Sequence, residues 1–125
     1  MLEIDGLECI GEVAVFYLPS VKLTCSNYLH KGKLPHELLH QFLIENYNAY
    51  TSDTGNMRGY WRKGRNKVCK DLNTQYEVSF GGGEEEVEKF VKFLSGLALI
   101  LEEDAVYVTM GKKSWLVYPR EKNEI

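Results

Sequence analysis

Between Glu12 and Leu29 apolar residues fall on every second position: Val13, Val15 and Tyr17 ahead of Pro19, then Val21, Leu23 and Cys25 after it. A period of two puts alternate side chains on one face of a strand. The spacing therefore predicts two strand segments, with Pro19, which has no N–H to donate, at an edge, bulge or turn between them. From Pro35 the period lengthens, and Leu38, Leu39, Phe42, Leu43 and Tyr50 form the stripe of a helix ending near Thr51. Pro35 suits its first position, and Glu37 in the first turn complements the helix dipole. Thr51 to Gly59 is polar and turn-rich, ahead of strands over Tyr60 to Lys63 and roughly Val68 to Phe80, joined by Gly64-Arg65-Asn66. Tyr76, Val78 and Phe80 alternate there with Gln75, Glu77 and Ser79, the mark of a half-buried strand. Gly81-Gly82-Gly83 ends it, and Glu84-Glu85-Glu86 opens a second helix whose stripe is Val87, Phe90, Val91, Leu94, Leu97, Ala98 and Leu101. A last hairpin pairs Ala105 to Met110 with Ser114 to Tyr118.

The order β, α, β, β, α, β, with a further β segment at each end, implies an α+β fold. Two helices cover one face of an antiparallel sheet, in a ferredoxin-like or related sandwich. With 125 residues, 44% of them hydrophobic, the chain reads as a single domain over 1–125, its first ten residues and residues 120–125 expected to fray. Fifteen basic and eighteen acidic residues give a net charge of −3, which argues against a general nucleic-acid binder. Local segregation of charge keeps a nucleic-acid strand open as a partner. Cys9, Cys25 and Cys69 form no C-x-x-C pair, as expected of unpaired thiols in a reducing cytoplasm. No apolar run approaches the ~20 residues of a membrane span, so no membrane partner is expected.

His36-Glu37-Leu38-Leu39-His40 spells H-E-x-x-H. On a helix, His36 and His40 lie on one side, where two imidazoles could hold Zn²⁺ while Glu37 acts as general base to a metal-bound water. The surroundings oppose this zinc hydrolase. Pro35 places the motif in the first turn, behind the basic loop Lys31-Gly32-Lys33. A third ligand is also wanting: no histidine follows, His30 is close in sequence, and Glu84, Glu85, Glu86 and Glu88 form a charged run. The expectation is no metal, with zinc at His36 and His40 as the alternative. Gly81-Gly82-Gly83 could cradle a phosphate at a helix N-terminus, but the adjoining glutamates repel anions, and a plain strand-to-helix turn is the simpler reading.

The second unusual segment runs from Arg58 to Lys70. It gathers Arg58, Arg62, Lys63, Arg65, Lys67 and Lys70 in an otherwise acidic chain and interleaves Tyr60 and Trp61. Arginine forks bind phosphate oxygens, and aromatic faces stack on bases. Arg58, Tyr60, Trp61, Arg62, Arg65 and Lys67 are therefore the candidate ligand-binding residues for an anionic, nucleotide-like small molecule. The competing reading is a solvated hairpin with Trp61 in the core and lysines keeping the edge soluble.

Leu34-Pro35, Phe42-Leu43, Tyr47, Ala49-Tyr50-Thr51, Gly59-Tyr60-Trp61, Tyr76-Glu77-Val78 and Ala105-Val106-Tyr107-Val108 together resemble small phage α+β proteins of the anti-Thoeris sponge type. The resemblance implies binding without turnover: a cyclic ADP-ribose signal sequestered in an aromatic and arginine pocket at a homodimer interface, with no catalytic residues and no cofactor. Two other readings stay in view, the zinc hydrolase and a protein-interaction or inhibitor domain.

Overall fold

In the computed structural model, residues 2–121 are described; residue 1 and residues 122–125, which hold most of the tail expected to fray, lie outside them. Residues 2–11 form no strand or helix. The elements then follow as β1 (Glu12–Pro19), α1 (Ser20–Leu23), a 3-10 turn (Ser26–Tyr28), α2 (Pro35–Tyr47), β2 (Thr51–Ser52), β3 (Met57–Lys63), β4 (Lys67–Phe80), α3 (Glu84–Ile100), β5 (Val106–Met110) and β6 (Lys113–Val117).

All strand pairings are antiparallel, and the sheet runs β2-β4-β1-β5-β6, with β3 also paired to β4. Setting β6 aside, the order β5, β1, β4, then β2 and β3 is the split βαβ arrangement expected from the sequence. One hydrophobic core lies between the sheet and the helices. Ala14, Phe16 and Leu18 from β1 meet Tyr76, Val78 and Phe80 from β4 and Val106 and Val108 from β5. Over them lie Leu39, Leu43 and Tyr47 of α2 and Phe90, Leu94 and Leu97 of α3. Phe16 stacks on Tyr76 at 5.3 Å between ring centroids and meets Phe90 edge-on at 5.5 Å. Tyr47 stacks on Phe80 at 4.8 Å, which ties α2 to the sheet.

Three sequence expectations are corrected. In β1 the buried set is Ala14, Phe16 and Leu18, and the alternating Val13, Val15 and Tyr17 occupy the opposite, open face. Both sets are apolar, so periodicity alone could not choose between them. The second strand expected after Pro19 does not form. The chain turns into α1, where Leu23 is buried and Val21 is 74% exposed. Ser20 fixes this turn: its hydroxyl donates to the Gly55 carbonyl at 2.8 Å and lies 3.0 Å from the Thr74 hydroxyl. Gly55 is required there, since its φ is +86° and a Cβ would come within 2.9 Å of both Ser20 Oγ and Thr74 Oγ1. Finally, α2 ends at Tyr47 because Asn48 takes a left-handed φ of 72° and donates its N–H to the Ile44 carbonyl at 3.0 Å. Tyr47, and not Tyr50, is its last buried residue.

Candidate ligand-binding cleft

The site follows from strand lengths. β1 lies between β4 and β5 but stops at Pro19, which pairs with Asn73. β4 runs on to Lys67, held there on its other side by β3. The sheet therefore loses its central strand over this stretch, and a cleft of about 840 Å³ opens in the gap. The end of β1, with Tyr17, Pro19 and Lys22, forms its base. The β3–β4 hairpin forms one wall, and the α3–β5 connection with Tyr107 and Leu116 forms the other.

Register assigns the side chains. Since Tyr76, Val78 and Phe80 of β4 face the helices, Asp71 and Asn73 face the open side. Their partners Gly59 and Met57, and Trp61 two residues on, share that side, while Arg58, Tyr60 and Arg62 alternate to the other, Arg58 and Tyr60 still bordering the cleft. The Trp61 indole N–H donates to Asp71 Oδ2 at 2.9 Å, which fixes the ring on the hairpin wall. Trp61 is 41% exposed, so it is not a core residue as the solvated-hairpin reading required. Gly59 lies where a Cβ would come 2.5 Å from Asn73 Nδ2, so a side chain there would displace Asn73. Where the base meets the other wall, the Tyr17 and Tyr107 ring centroids lie 5.9 Å apart, and the Tyr107 hydroxyl is held 2.9 Å from Ser114 Oγ. Aromatic surface thus lines both walls.

Charge in the cleft is mixed. Lys22, Arg58 and Lys63 line it together with Asp71, Glu102, Glu103 and Asp104. Lys22 Nζ donates to Glu103 Oε2 at 2.5 Å and to the Leu101 carbonyl at 2.7 Å. Burial pulls the Lys22 ammonium down, but the hydrogen bond and charge of Glu103 outweigh it and leave its pKa above the ordinary lysine value. The acids sit at a costly place. Helix α3 ends in a Schellman motif, in which Glu103 N–H donates to the Ala98 carbonyl at 2.9 Å and Glu102 N–H to the Leu99 carbonyl at 3.1 Å. The left-handed residue of this motif is normally glycine; here it is Glu102, with φ 55°. Carboxylates at a helix C-terminus also oppose the helix dipole. A backbone rule and an electrostatic rule are broken together where the helix meets the cleft, the kind of local conflict that marks functional positions.

Of the residues the sequence singled out, Arg58, Tyr60 and Trp61 line the cleft, whereas Arg62, Arg65 and Lys67 do not. The sequence reading missed Tyr17, Tyr107, Asp71 and the Glu102–Asp104 acids. The available signal was an aromatic at alternating positions outside the buried set, together with an acidic turn lacking the expected glycine.

The other candidates separate from this site. His36, Glu37 and His40 are exposed on α2. His40 Nδ1 lies 2.7 Å from the Tyr50 hydroxyl, in a hydrogen bond. Among the described residues no group of three or more His, Cys, Asp or Glu is placed to hold a metal ion, so the zinc reading lacks its ligand set. At Gly82 a Cβ would meet the Glu12 carboxylate at 3.0 Å, which puts an acid over the glycine run where a phosphate cradle would need an anion.

No family model matches the chain, and no curated protein matches it. Two solved structures share its fold. A phage SAM lyase in complex with S-methyl-5'-thioadenosine superposes with a TM-score of 0.55 at 12% identity, covering 93% of this chain and 96% of that one. A phage SAM lyase in the apo state gives 0.54 at 12% identity, covering 95% and 98%. At this identity the likeness establishes the α+β fold over nearly the whole of both chains.

Proposed function

We propose that the cleft at the end of β1 binds a small adenosine-bearing metabolite with a cationic group, of the SAM class, whose thioadenosine part it shares with uncharged S-methyl-5'-thioadenosine. The observation that carries this reading is the acidic, left-handed end of α3 facing aromatic walls across the gap. Glu102, Glu103, Asp104 and Asp71 suit a sulfonium or ammonium group. Trp61 and the Tyr17–Tyr107 pair offer faces for a purine. Arg58 or Lys63 can meet a carboxylate. This mixture fits a zwitterionic nucleoside better than the purely anionic nucleotide suggested by the basic hairpin alone. The phage SAM lyase that shares the fold carries S-methyl-5'-thioadenosine, which supports a nucleoside ligand here.

In this reading the protein holds its ligand without converting it, acting by sequestration, as the sponge resemblance implies. A second reading, lyase activity on SAM, is favoured by the name both similar structures carry. Calorimetric titration with SAM and with S-methyl-5'-thioadenosine, alongside mass spectrometry of the incubated mixture, separates them. Saturable binding with SAM intact supports sequestration, and release of S-methyl-5'-thioadenosine faster than in protein-free buffer, with the amino-acid fragment recovered as its lactone and no water added, establishes the lyase. Absence of binding to both compounds contradicts the proposal.

A further inference from the structure

Lys22 reaches from the base of the cleft to one of its walls. It lies in α1, the single turn that follows Pro19, and its ammonium donates to the Leu101 carbonyl at 2.7 Å and to Glu103 Oε2 at 2.5 Å. The same group sits 5.4 Å from the centroid of the Tyr28 ring. A cation at this point opposes the negative end of the α3 dipole, which Glu102, Glu103 and Asp104 would otherwise reinforce. The ion pair is mostly covered, with side chains 26% and 23% exposed, so solvent screens it less than an open pair.

No other charged residue of the cleft forms an ion pair among the described residues. Glu102 and Asp104 are exposed, while Glu103 is half-buried against Lys22. The lining therefore divides. Glu103 is already neutralised, and Asp71, Glu102 and Asp104 remain with Arg58 and Lys63, which leaves one negative charge in excess. SAM carries a sulfonium, an ammonium and a carboxylate, and so a single net positive charge.

Resting on the nucleoside reading of this cleft, we infer that Lys22 is a specificity-determining residue: by neutralising Glu103 it matches the cleft to a ligand with cationic groups and a carboxylate, against one with the cations alone. Lys22 acts through Glu103 and need not touch the ligand. Without it the acidic excess doubles, and the lining suits a doubly charged cation better than SAM.

The test compares SAM with decarboxylated SAM, which lacks only the carboxylate, by calorimetry on the purified protein. Uncharged S-methyl-5'-thioadenosine is the control, and thermal melts report folding. The readout is the affinity for decarboxylated SAM relative to SAM. Lys22→Met is expected to raise this ratio by roughly threefold to tenfold, the scale of one unit charge near a protein surface. Glu103→Gln keeps the shape of the side chain and leaves Lys22 unpaired, so it is expected to lower the ratio by a similar factor. Lys22→Arg and the double variant Lys22→Met/Glu103→Gln are expected to hold it near the wild-type value. Loosened structure would move both single variants in one direction; charge moves them in opposite directions. If Lys22→Met does not fold, Glu103→Gln still carries the test. A ratio unchanged by the single variants, with SAM bound by wild type, overturns the inference and leaves the cleft reading standing. Wild type that binds none of the three compounds overturns both.

Discussion

The Trp61 indole N–H donates to the Asp71 carboxylate at 2.9 Å, across the hairpin that outlasts its central neighbour β1. This bond sets the angle of the largest aromatic face in the cleft. Asp71→Ala is expected to free the ring, shifting tryptophan emission to the red in a Trp115→Phe background. Trp61→Ala is expected to weaken nucleoside binding by roughly tenfold to a hundredfold, the scale of one stacked base. Calorimetry of both variants checks this, and affinity equal to wild type in Trp61→Ala would remove the indole from the site.

Glu102 should trade stability for function. Replacing it by glycine relieves a left-handed φ of 55° and a carboxylate at a helix C-terminus. Glu102→Gly is expected to stabilise the fold by about 1 kcal/mol. It is also expected to weaken binding of SAM more than binding of the uncharged S-methyl-5'-thioadenosine. Denaturant unfolding and paired titrations read the two effects separately.

Burial pushes the Tyr47 and Tyr76 hydroxyls up to about 12, from 10.0. The folded state therefore favours their neutral forms. A group whose pKa is raised by folding contributes stability fully present below its unfolded value and lost as pH rises through the folded one. Stability should accordingly be undiminished by these groups below pH 10 and fall between about 10 and 12. Tyrosinate absorbance should lag for two tyrosines, and Tyr47→Phe with Tyr76→Phe should flatten both curves. Tyr47→Phe removes no hydrogen bond, because the buried Tyr47 hydroxyl has no hydrogen-bond partner among the described residues.

Phe16 links β1 to both Tyr76 and Phe90. Phe16→Ala is expected to cost about 3–5 kcal/mol by leaving a cavity under α3. Ala substitution at exposed His36 should stay within about 0.5 kcal/mol and leave zinc content unchanged. Thermal melts and metal analysis check the pair.

Much of the fold was legible because its signals were local. The stripe from Val87 to Leu101 and the alternation of Tyr76, Val78 and Phe80 each admit one reading. β1 was ambiguous because Val-Ala-Val-Phe-Tyr-Leu is apolar on both parities, and only the helices decide which side is covered. The site was half legible. Tyr60 and Trp61 stand out beside arginines, but the cleft depends on β1 stopping at Pro19 while β4 continues, a relation between distant segments. H-E-x-x-H is the converse case: the pattern is local but the third ligand it needs is not, and its surroundings in the sequence already opposed it.

The most direct test is an amide chemical-shift map of the labelled protein titrated with SAM. The account predicts shifts concentrated at Tyr17, Trp61, Asp71, Glu102, Asp104 and Tyr107, with Arg65 and Lys67 little moved. Shifts centred on the Arg65–Lys67 turn or on α2, or none at saturating ligand, would contradict it.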